Sequence, residues 1–221
     1  MNITLRASTI HDVPALAQLN HAAYPDLVTA GVVFDEAQLR AQASTFSFGQ
    51  RVAELDGKIV GAISTLIVDE KRALAPHTWI DITGYGCFAT HDNAGNALYL
   101  ADIYVHPDAW GRGVGPALYE ELRSICRARG LKRIVAGGRL WGYHEVASAM
   151  TPEQYVSEVL RGERRDRVLS SQLRAGFTVQ RVMPGYLEDW RSAGFATLLD
   201  WPNPDVIASA TRPEVTLEPR A

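Results

Sequence analysis

The residues with the clearest chemical potential form a glycine-rich turn, Trp110-Gly-Arg-Gly-Val-Gly, between a strand-like run and a helical run. A strand that leads through such a turn into a helix points several backbone N–H groups and the positive end of the helix dipole toward one place. Each helix-end interaction contributes roughly 0.3–1 kcal/mol, so a diphosphate that meets several N–H groups gains a few kcal/mol without a lysine. The pattern indicates an anion site, although a tight turn without a ligand has the same spacing.

Two other phosphate-binding motifs do not fit this spacing. A P-loop needs a glycine, then four residues, then Gly-Lys-Ser/Thr, and no such run follows Gly111. A dinucleotide fingerprint needs a third glycine where the chain has Pro116, and an acidic residue where it has Gly137 and Gly138. Both motifs are excluded.

The turn belongs to a strand–turn–helix–strand unit inside a longer series of strands and helices. The strand Leu98–Val105 stops before Pro107, and the helix after the turn runs to about Arg129, where Gly130 closes it. Earlier in the chain, Asp56-Gly57 between two apolar runs predicts a hairpin. The other predicted strands cover 3–7, 51–55, 58–68, 132–138, 177–182 and 195–201, and the other predicted helices begin near Val13, Phe34, Pro152 and Val168.

Composition and charge limit the class of protein. The chain has 221 residues, of which 47% are hydrophobic and 21% charged. These values predict one globular domain over 1–201 with an inserted loop or irregular hairpin at about 69–97, and a tail at 202–221 that is loose or wraps the body. The net charge of −3 argues against a nucleic-acid partner, which needs a surplus of Lys and Arg. No apolar run approaches the ~20 residues of a membrane span, so we expect a cytoplasmic protein without a membrane partner.

The run from Val105 to Leu118, which contains the turn, resembles the acetyl-CoA motif of the GCN5-related N-acetyltransferases (GNAT family), and the order of elements before it agrees. The resemblance implies an α/β (α+β) fold with a mixed central sheet and helices on both faces. It also implies that the turn binds the CoA diphosphate and that the preceding strand pairs with the pantetheine arm. Trp110 replaces the Gln or Arg that is usual in the family, which leaves backbone contacts intact. The implied cofactor contacts are Ile103, Tyr104 and Val105 for the arm, and Trp110, Gly111, Arg112, Gly113, Val114 and Gly115 for the phosphates.

A second resemblance covers most of the chain up to about Asp205. Segments such as His77-Thr-Trp, Gly142-Tyr-His, Met150-Thr-Pro-Glu-Gln-Tyr-Val and Tyr186-Leu are similar to the acetyltransferase half of bifunctional proteins that carry a carbon-nitrogen hydrolase. The resemblance implies a carbon-nitrogen hydrolase as a partner, and similar proteins commonly pair edge strands into a homodimer. Neither resemblance identifies the amine acceptor, which is a small molecule or a protein.

The implied reaction is transfer of an acetyl or other acyl group from acyl-CoA, as co-substrate, to an amine by direct attack. An amine with a pKa near ~10.4 is mostly protonated at neutral pH, and removing its proton costs about 4–5 kcal/mol. A general base is therefore expected. Asp102 is the first candidate because it is the only carboxylate in the strand expected to hold the thioester, with a structural hydrogen-bonded role as the alternative. The backbone N–H of Val105 is the candidate for binding the oxyanion.

The usual general acid is absent from the sequence. Many relatives carry a tyrosine four residues before the Gly-Phe of the penultimate strand, and counting back from Gly176 gives Gln172. Tyr143 is the substitute candidate for the acid and His144 a candidate for the acceptor pocket, unless both only hold the loop after the central strand. The missing tyrosine motivates a second hypothesis, a catalytically weak CoA-binding domain that regulates a carbon-nitrogen hydrolase.

Other reactive or charged residues favour structural interpretations. The segment from Arg161 to Arg167, Arg-Gly-Glu-Arg-Arg-Asp-Arg, is more typical of a solvated helix end than of a substrate clamp. Cys87 and Cys126 lack metal-ligand spacing, and His91-Asp92 lacks a third ligand, so no metal site is predicted.

Overall fold

The computed structural model describes residues 2–27 and 33–210, and a mixed β-sheet forms its centre. Within these residues the strands are β1 (Ile3–Ala7), β2 (Arg51–Leu55), β3 (Lys58–Val68), β4 (Ala97–Val105), β5 (Arg133–Arg139), β6 (Thr178–Met183) and β7 (Ala196–Pro202). Their spatial order is β1-β2-β3-β4-β5-β7-β6. Only β4 and β5 pair in parallel; the other described neighbours are antiparallel. The predicted α/β fold with a mixed central sheet is confirmed.

Outside the insertion and the predicted tail, the helices lie where the sequence predicts them, with ends shifted by a few residues. Asp35, for example, caps the second helix by accepting a hydrogen bond from the Gln38 amide. No helix in the described part of the chain combines the length and apolar character needed to cross a membrane. The helices are α1 (Val13–Ala23), α2 (Glu36–Thr45), α3 (Glu70–Leu74), α4 (Trp79–Thr83), α5 (Val114–Ala128), α6 (Pro152–Leu160), α7 (Leu169–Arg174) and α8 (Pro204–Ala210).

The insertion at about 69–97 differs from the irregular loop or hairpin that the sequence predicts. It forms the two short helices α3 and α4, followed by a tight turn at Gly84–Phe88 in which Tyr85 and Gly86 have positive φ angles. Asp69 and Thr78 cap the two helices by accepting hydrogen bonds from the Lys71 and Asp81 amides. The segment is an insertion, as expected, but it is not an irregular hairpin; its helices were missed because five-residue helices are too short to show a helical hydrophobic period.

The first part of the predicted tail continues the folded domain. β7 ends at Pro202, one residue beyond the predicted boundary, and α8 follows. Asn203 anchors this connection, since its backbone amide donates to the Lys132 carbonyl and its side-chain amide to the Leu131 carbonyl, both at 2.8 Å. Residues 211–221 of the predicted tail lie outside the described residues.

A cleft opens in the sheet because β4 and β5 pair over only part of their length. Ala97–Leu100 lies in register with Arg133–Ala136, and the pairing stops there. Residues 101–105 of β4 continue along β3, whereas residues 137–139 of β5 continue along β7. The two parallel strands thus separate toward their carboxyl ends, and the cleft between them faces the turn that begins α5.

The sheet separates two sets of buried side chains. Helix α5 packs on one face through its apolar stripe, which includes Val114, Leu118 and Leu122. Helix α1 and the insertion pack on the other face. Because the cleft interrupts the sheet, it connects the α5 face with the α1 face.

A β-bulge in β4 sits at the point where the cleft begins. Leu100 lies opposite Thr65 and Asp102 opposite Ser64, so Ala101 is an extra residue in β4. The Trp79 indole of the insertion donates a hydrogen bond to the Ala101 carbonyl at 3.0 Å. The insertion thereby fixes the strand irregularity that turns the Asp102 side chain toward α1.

Candidate functional site

The turn between β4 and α5 holds its backbone in the geometry of an anion site. Gly111 and Gly113 have φ angles of 75° and 84°, in the left-handed region that glycine adopts without strain. The first N–H groups of a helix have no partner within it. In the described residues, the amides of Gly111, Gly113, Val114 and Gly115 have no protein partner. The turn can therefore donate several hydrogen bonds to one anionic ligand.

The turn also carries two larger side chains, those of Trp110 and Arg112. Trp110 is 49% exposed, and its indole N–H donates to the Val105 carbonyl at 3.0 Å. Arg112 is exposed beside it. The Trp110 side chain therefore satisfies the last carbonyl of β4, a structural role that the sequence did not predict for it.

β4 presents a backbone edge to the cleft. The His106 amide donates to the Val60 carbonyl at 2.7 Å, and backbone polar groups alternate in direction along a strand. The backbone N–H and C=O of Tyr104 therefore point toward β3, whereas those of Ile103 and Val105 point into the cleft. The Val105 carbonyl accepts a hydrogen bond from the Trp110 indole, and the Ile103 carbonyl lies 3.0 Å from the Tyr24 hydroxyl oxygen. The Val105 amide has no protein partner among the described residues. Of the three predicted arm contacts, Ile103 and Val105 have the required orientation and the Tyr104 backbone does not.

Asp102 lies at the closed end of the cleft and is held by two residues, one in α1 and one at its C-terminal cap. The Tyr24 hydroxyl donates to Asp102 Oδ1 at 2.6 Å, and Asn20 Nδ2 donates to Asp102 Oδ2 at 3.0 Å. The Asn20 carbonyl oxygen accepts from the Phe34 amide at 2.9 Å, which fixes the orientation of its side-chain amide. The carboxylate is therefore oriented from the α1 face of the sheet.

The surroundings of Asp102 bring its pKa close to neutrality. Burial raises the pKa of its carboxyl from 3.8 to about 6, against the lowering effects of the Tyr24 and Asn20 hydrogen bonds, the Ile103 amide and the positive charge of Arg139. Burial also raises the pKa of Tyr24 well above its usual range, and the nearby Asp102 charge adds to this. Near pH 7 the carboxylate is ionised and Tyr24 keeps the proton that it donates.

The structure places Tyr143 and His144 in the loop that follows β5. The Tyr143 hydroxyl donates to the Met150 carbonyl at 2.9 Å and its ring packs against Tyr155 and Phe195, which supports the loop-holding role. Burial raises the pKa of Tyr143. His144 Nδ1 lies 3.1 Å from the Arg191 carbonyl, so Nδ1 must carry the proton and Nε2 is left as an acceptor.

Besides Nε of Arg191, two buried polar groups near the cleft have no hydrogen-bond partner among the described residues. One is Oε1 of Gln172, the residue at the position of the missing tyrosine. This oxygen lies close to β5, since a Cβ at Gly138 would fall 2.3 Å from it. The other is the hydroxyl of Tyr104, whose ring centroid lies 6.2 Å from that of Tyr24. Burial and the Asp102 charge raise the pKa of Tyr104, so this hydroxyl is a hydrogen-bond donor in need of an acceptor.

A chain of hydrogen-bonded rings on the α1 face was not predicted. Tyr186 lies 2.8 Å from the Tyr99 hydroxyl, which lies 2.9 Å from His77 Nε2. His77 Nδ1 lies 2.8 Å from the Ala75 carbonyl and therefore carries the proton, so the two tyrosines donate in sequence toward His77. A Cβ at Gly137 would fall 2.0 Å from the Tyr186 ring, which places that ring against β5 where the cleft begins. His77 and Tyr186 both stood in segments of the second resemblance, and that was the only signal for them.

The remaining charged segments are mostly structural. Arg161 pairs with Glu163 at 2.6 Å, as the prediction of a solvated helix end implies. Arg167 differs, because its guanidinium lies 3.6 Å from the centre of the Trp110 ring. In the described residues, no group of three or more His, Cys, Asp or Glu side chains is arranged to hold a metal ion.

Comparisons with known proteins identify a matching family and two similar relatives. The model of the acetyltransferase (GNAT) family matches residues 13–145. An uncharacterized N-acetyltransferase of Bacillus subtilis, YkwB, is 33% identical over 201 residues, 91% of this chain and 89% of that protein. A probable hydrolase of the same organism, YhcX, is 39% identical over 168 residues, 76% of this chain. The chain spans only about a third, 33%, of the length of YhcX.

Solved structures with the same fold include acyltransferases and a decarboxylase. The GphF GNAT-like decarboxylase in complex with isobutyryl-CoA is 27% identical, with a TM-score of 0.79 over 90% of this chain and 99% of that one. The loading GNATL domain of CurA from Lyngbya majuscula is 21% identical, with a TM-score of 0.77 over 92% and 98%. YncA of Salmonella typhimurium, a putative acetyltransferase solved with acetyl-CoA, is 20% identical, with a TM-score of 0.56 over 91% and 94%. The second and third of these likenesses show the fold alone.

Proposed function

The chain belongs to the acetyltransferase (GNAT) family and is therefore an acyl-CoA-dependent N-acetyltransferase, and we propose that it acylates its amine by direct attack in the cleft between β4 and β5. The observation that carries this proposal is the arrangement of Asp102 at the closed end of the cleft and the amide-rich turn at its open end. The two ends suit the two parts of the reaction, a base for the amine and an anion site for CoA.

The backbone contacts for CoA follow from the geometry. The diphosphate would accept hydrogen bonds from the amides of Gly111, Gly113, Val114 and Gly115 at the start of α5. The pantetheine arm would lie along the cleft-facing edge of β4 and bring the thioester toward Asp102. The free amide of Val105 would then be a donor to the carbonyl oxygen as it becomes negative.

Asp102 would act as the general base. The amine nitrogen attacks the thioester carbon, a C–N bond forms, the C–S bond breaks and the CoA thiolate leaves. The proton lost by the amine passes to Asp102, directly or through a water, and the thiolate takes up a proton. A carboxyl with a pKa of about 6 is mostly ionised at neutral pH yet is a stronger base than an exposed aspartate. The unpartnered hydroxyl of Tyr104 is a further candidate donor at this end of the cleft.

A second candidate reaction is decarboxylation of an acyl-CoA that itself carries a carboxylate. It is favoured by the 27% identity and TM-score of 0.79 to a GNAT-like decarboxylase, against a TM-score of 0.56 to YncA. In this reaction the bond between Cα and the carboxylate breaks and CO2 leaves. The electron pair passes into the thioester as an enolate, and Cα takes up a proton. No amine is needed, and the thioester stays intact.

One experiment separates the two reactions. The enzyme is incubated with acetyl-CoA and a panel of amines while free thiol is followed, and in parallel with malonyl-CoA while acetyl-CoA is followed by mass spectrometry. Acyl transfer predicts amine-dependent thiol release that Asp102→Asn reduces by about a hundredfold or more, whereas Asp92→Asn, in an exposed turn, leaves it unchanged. Conversion of malonyl-CoA to acetyl-CoA without thiol release would instead support the decarboxylase.

The regulatory alternative is also testable in this assay. Its support is the similarity to part of YhcX, together with glutamine instead of tyrosine at position 172. Binding of acetyl-CoA without turnover across the whole amine panel, and without conversion of malonyl-CoA, would favour a CoA-binding domain that partners a carbon-nitrogen hydrolase. The homodimer stays a prediction, to be checked by the mass of the protein in solution.

A further inference from the structure

A row of alternating indole and guanidinium groups lies at the open end of the cleft. Arg167 lies between two indoles, with its Cζ 3.6 Å from the centre of the Trp110 ring and 5.4 Å from that of Trp141. Arg191 lies between Trp141 and Trp190, at 4.4 Å and 4.5 Å. We call these five residues the Trp–Arg row.

The row connects the ends of the two strands that border the cleft. The Trp110 indole donates a hydrogen bond to the carbonyl of Val105, the last residue of β4. Trp141 lies two residues after Arg139, the last residue of β5. The row therefore lies beside the carboxyl ends of both strands, where the cleft is open. Arg167 lies between the two tryptophans that mark these strand ends.

The arginines near the cleft differ in how their charges are balanced. Arg139 lies 3.2 Å from carboxylate oxygens of both Asp26 and Asp189, and Arg191 lies 3.1 Å from the same Asp26. Arg167 has no carboxylate within ion-pair distance among the described residues. Partial burial and repulsion from Arg139 and Arg191 lower the pKa of Arg167. Two aspartates thus balance the charges of Arg139 and Arg191, and among these three arginines the excess positive charge resides on Arg167.

The backbone that carries Arg167 is fixed by its neighbour Asp166. This buried carboxylate accepts hydrogen bonds from the Gly142 amide and the Tyr155 hydroxyl through Oδ2. Through Oδ1 it accepts from the amides at the start of α7, those of Val168 and Leu169. Arg167 is consequently held in place relative to the loop after β5.

We propose that Arg167 binds a carboxylate of the substrate at the open end of the cleft. A guanidinium stacked on an indole uses only its flat face, so its N–H groups, which lie in the plane, stay free for a carboxylate. Asp102 at the closed end and Arg167 at the open end are complementary to a molecule that carries an amine and a carboxylate. An amine without an anionic group would gain nothing from the excess positive charge. The inference rests on the proposed function, since it assumes that the cleft holds acyl-CoA and its reaction partner.

The carboxylate has two sources in the reactions proposed above. It belongs to the acceptor if the enzyme acylates an amino-acid-like amine, and to the acyl group if the enzyme uses a malonyl-type thioester. Both sources have the same recognition chemistry, and matched pairs of probes distinguish them. For the acyl group the pair is malonyl-CoA and acetyl-CoA. For the acceptor, each pair consists of a common amino acid and its α-amide, and both are measured in the presence of CoA.

The test measures binding of these pairs by isothermal titration calorimetry to the wild type and to Arg167→Gln. We expect the wild type to prefer the carboxylate-bearing member of one pair by about tenfold or more. Arg167→Gln should remove that preference and leave the affinity for acetyl-CoA within about twofold. The matched control is Arg165→Gln, in the same exposed segment, which should preserve the preference. A preference in the acyl pair assigns the carboxylate to the acyl group, and one in the amine pair assigns it to the acceptor.

Two results would overturn the inference. In one, the wild type binds acetyl-CoA but prefers the carboxylate-bearing member of neither pair. In the other, Arg167→Gln weakens acetyl-CoA as much as malonyl-CoA, which would mean that Arg167 contacts CoA itself. Failure of the proposed function is a separate result, because the wild type would then bind no acyl-CoA at all.

Discussion

Replacing Tyr24 with phenylalanine should move the pH dependence of the reaction upward. Tyr24 donates the shorter of two hydrogen bonds to Asp102, at 2.6 Å, and this bond lowers the pKa of a carboxyl that burial raises to about 6. A hydrogen bond to a charged group contributes about 1.5–3 kcal/mol. Since one pKa unit corresponds to about 1.36 kcal/mol, its loss should raise the pKa of Asp102 by about 1–2 units.

The assay is the pH profile of kcat/KM for Tyr24→Phe beside that of the wild type. The activity of the wild type should rise with pH through about 6, as Asp102 loses its proton, and that of the variant through about 7–8. Tyr119→Phe is the matched control, because Tyr119 is also buried but lies on α5, where its ring packs against Phe177. An unshifted profile in Tyr24→Phe, or an equal shift in Tyr119→Phe, would refute the assignment of Asp102 as the base.

Three further predictions follow from the site and the sheet. Acetyl-CoA should raise the melting temperature of the wild type and of Gly162→Asp but not of Gly113→Asp. Both glycines have left-handed backbone angles, and a Cβ at either would meet no atom closer than 3.8 Å, but only Gly113 lies in the turn. A rise in Gly113→Asp would contradict this. Gly137→Ala would place a Cβ 2.0 Å from the Tyr186 ring and should lower the free energy of unfolding by about 1–3 kcal/mol, so an unchanged urea midpoint would be inconsistent with that packing. Because the folded pKa of Asp102 is raised from 3.8 to about 6, the folded state holds this proton more tightly than the unfolded state. Relative to Asp102→Asn, the wild type should therefore lose roughly 3 kcal/mol of stability as pH rises from about 4 to about 6, and a constant difference in urea melts across this range would contradict the raised pKa.

The elements that position the turn could be predicted because their signals are local. Asp56-Gly57 between two apolar runs indicated the β2–β3 hairpin, which the register confirms. The glycines of the β4–α5 turn required left-handed backbone angles, and Gly111 and Gly113 have them. Local signals failed in the insertion, where α3 and α4 are too short to show a helical period.

The surroundings of Asp102 could not be predicted, because its partners are distant in sequence. Asn20 and Tyr24 lie 82 and 78 residues before it, and nothing in the spacing connects them. One signal was present, since Asn20 stands on the apolar stripe of α1 beside Leu16 and Leu19 and is fully buried. A buried polar residue on an apolar stripe needs a polar partner, and here that partner is the candidate base.

The Trp–Arg row was hidden for a similar reason. Its members come from the β4–α5 turn, the loop after β5, the segment before α7 and the loop between β6 and β7. In the sequence Arg167 is one of several arginines in a charged run. Only the fold separates it from Arg161 and Arg164, which pair with nearby glutamates.

The central claim is that acyl-CoA binds in the cleft between β4 and β5, and hydrogen exchange of the backbone amides tests it most directly. On addition of acetyl-CoA, exchange should slow at Val105 and at the turn amides of Gly111, Gly113, Val114 and Gly115, while edge strand β6 is unaffected. Protection that is absent from the turn, or that appears only on other elements, would contradict the account.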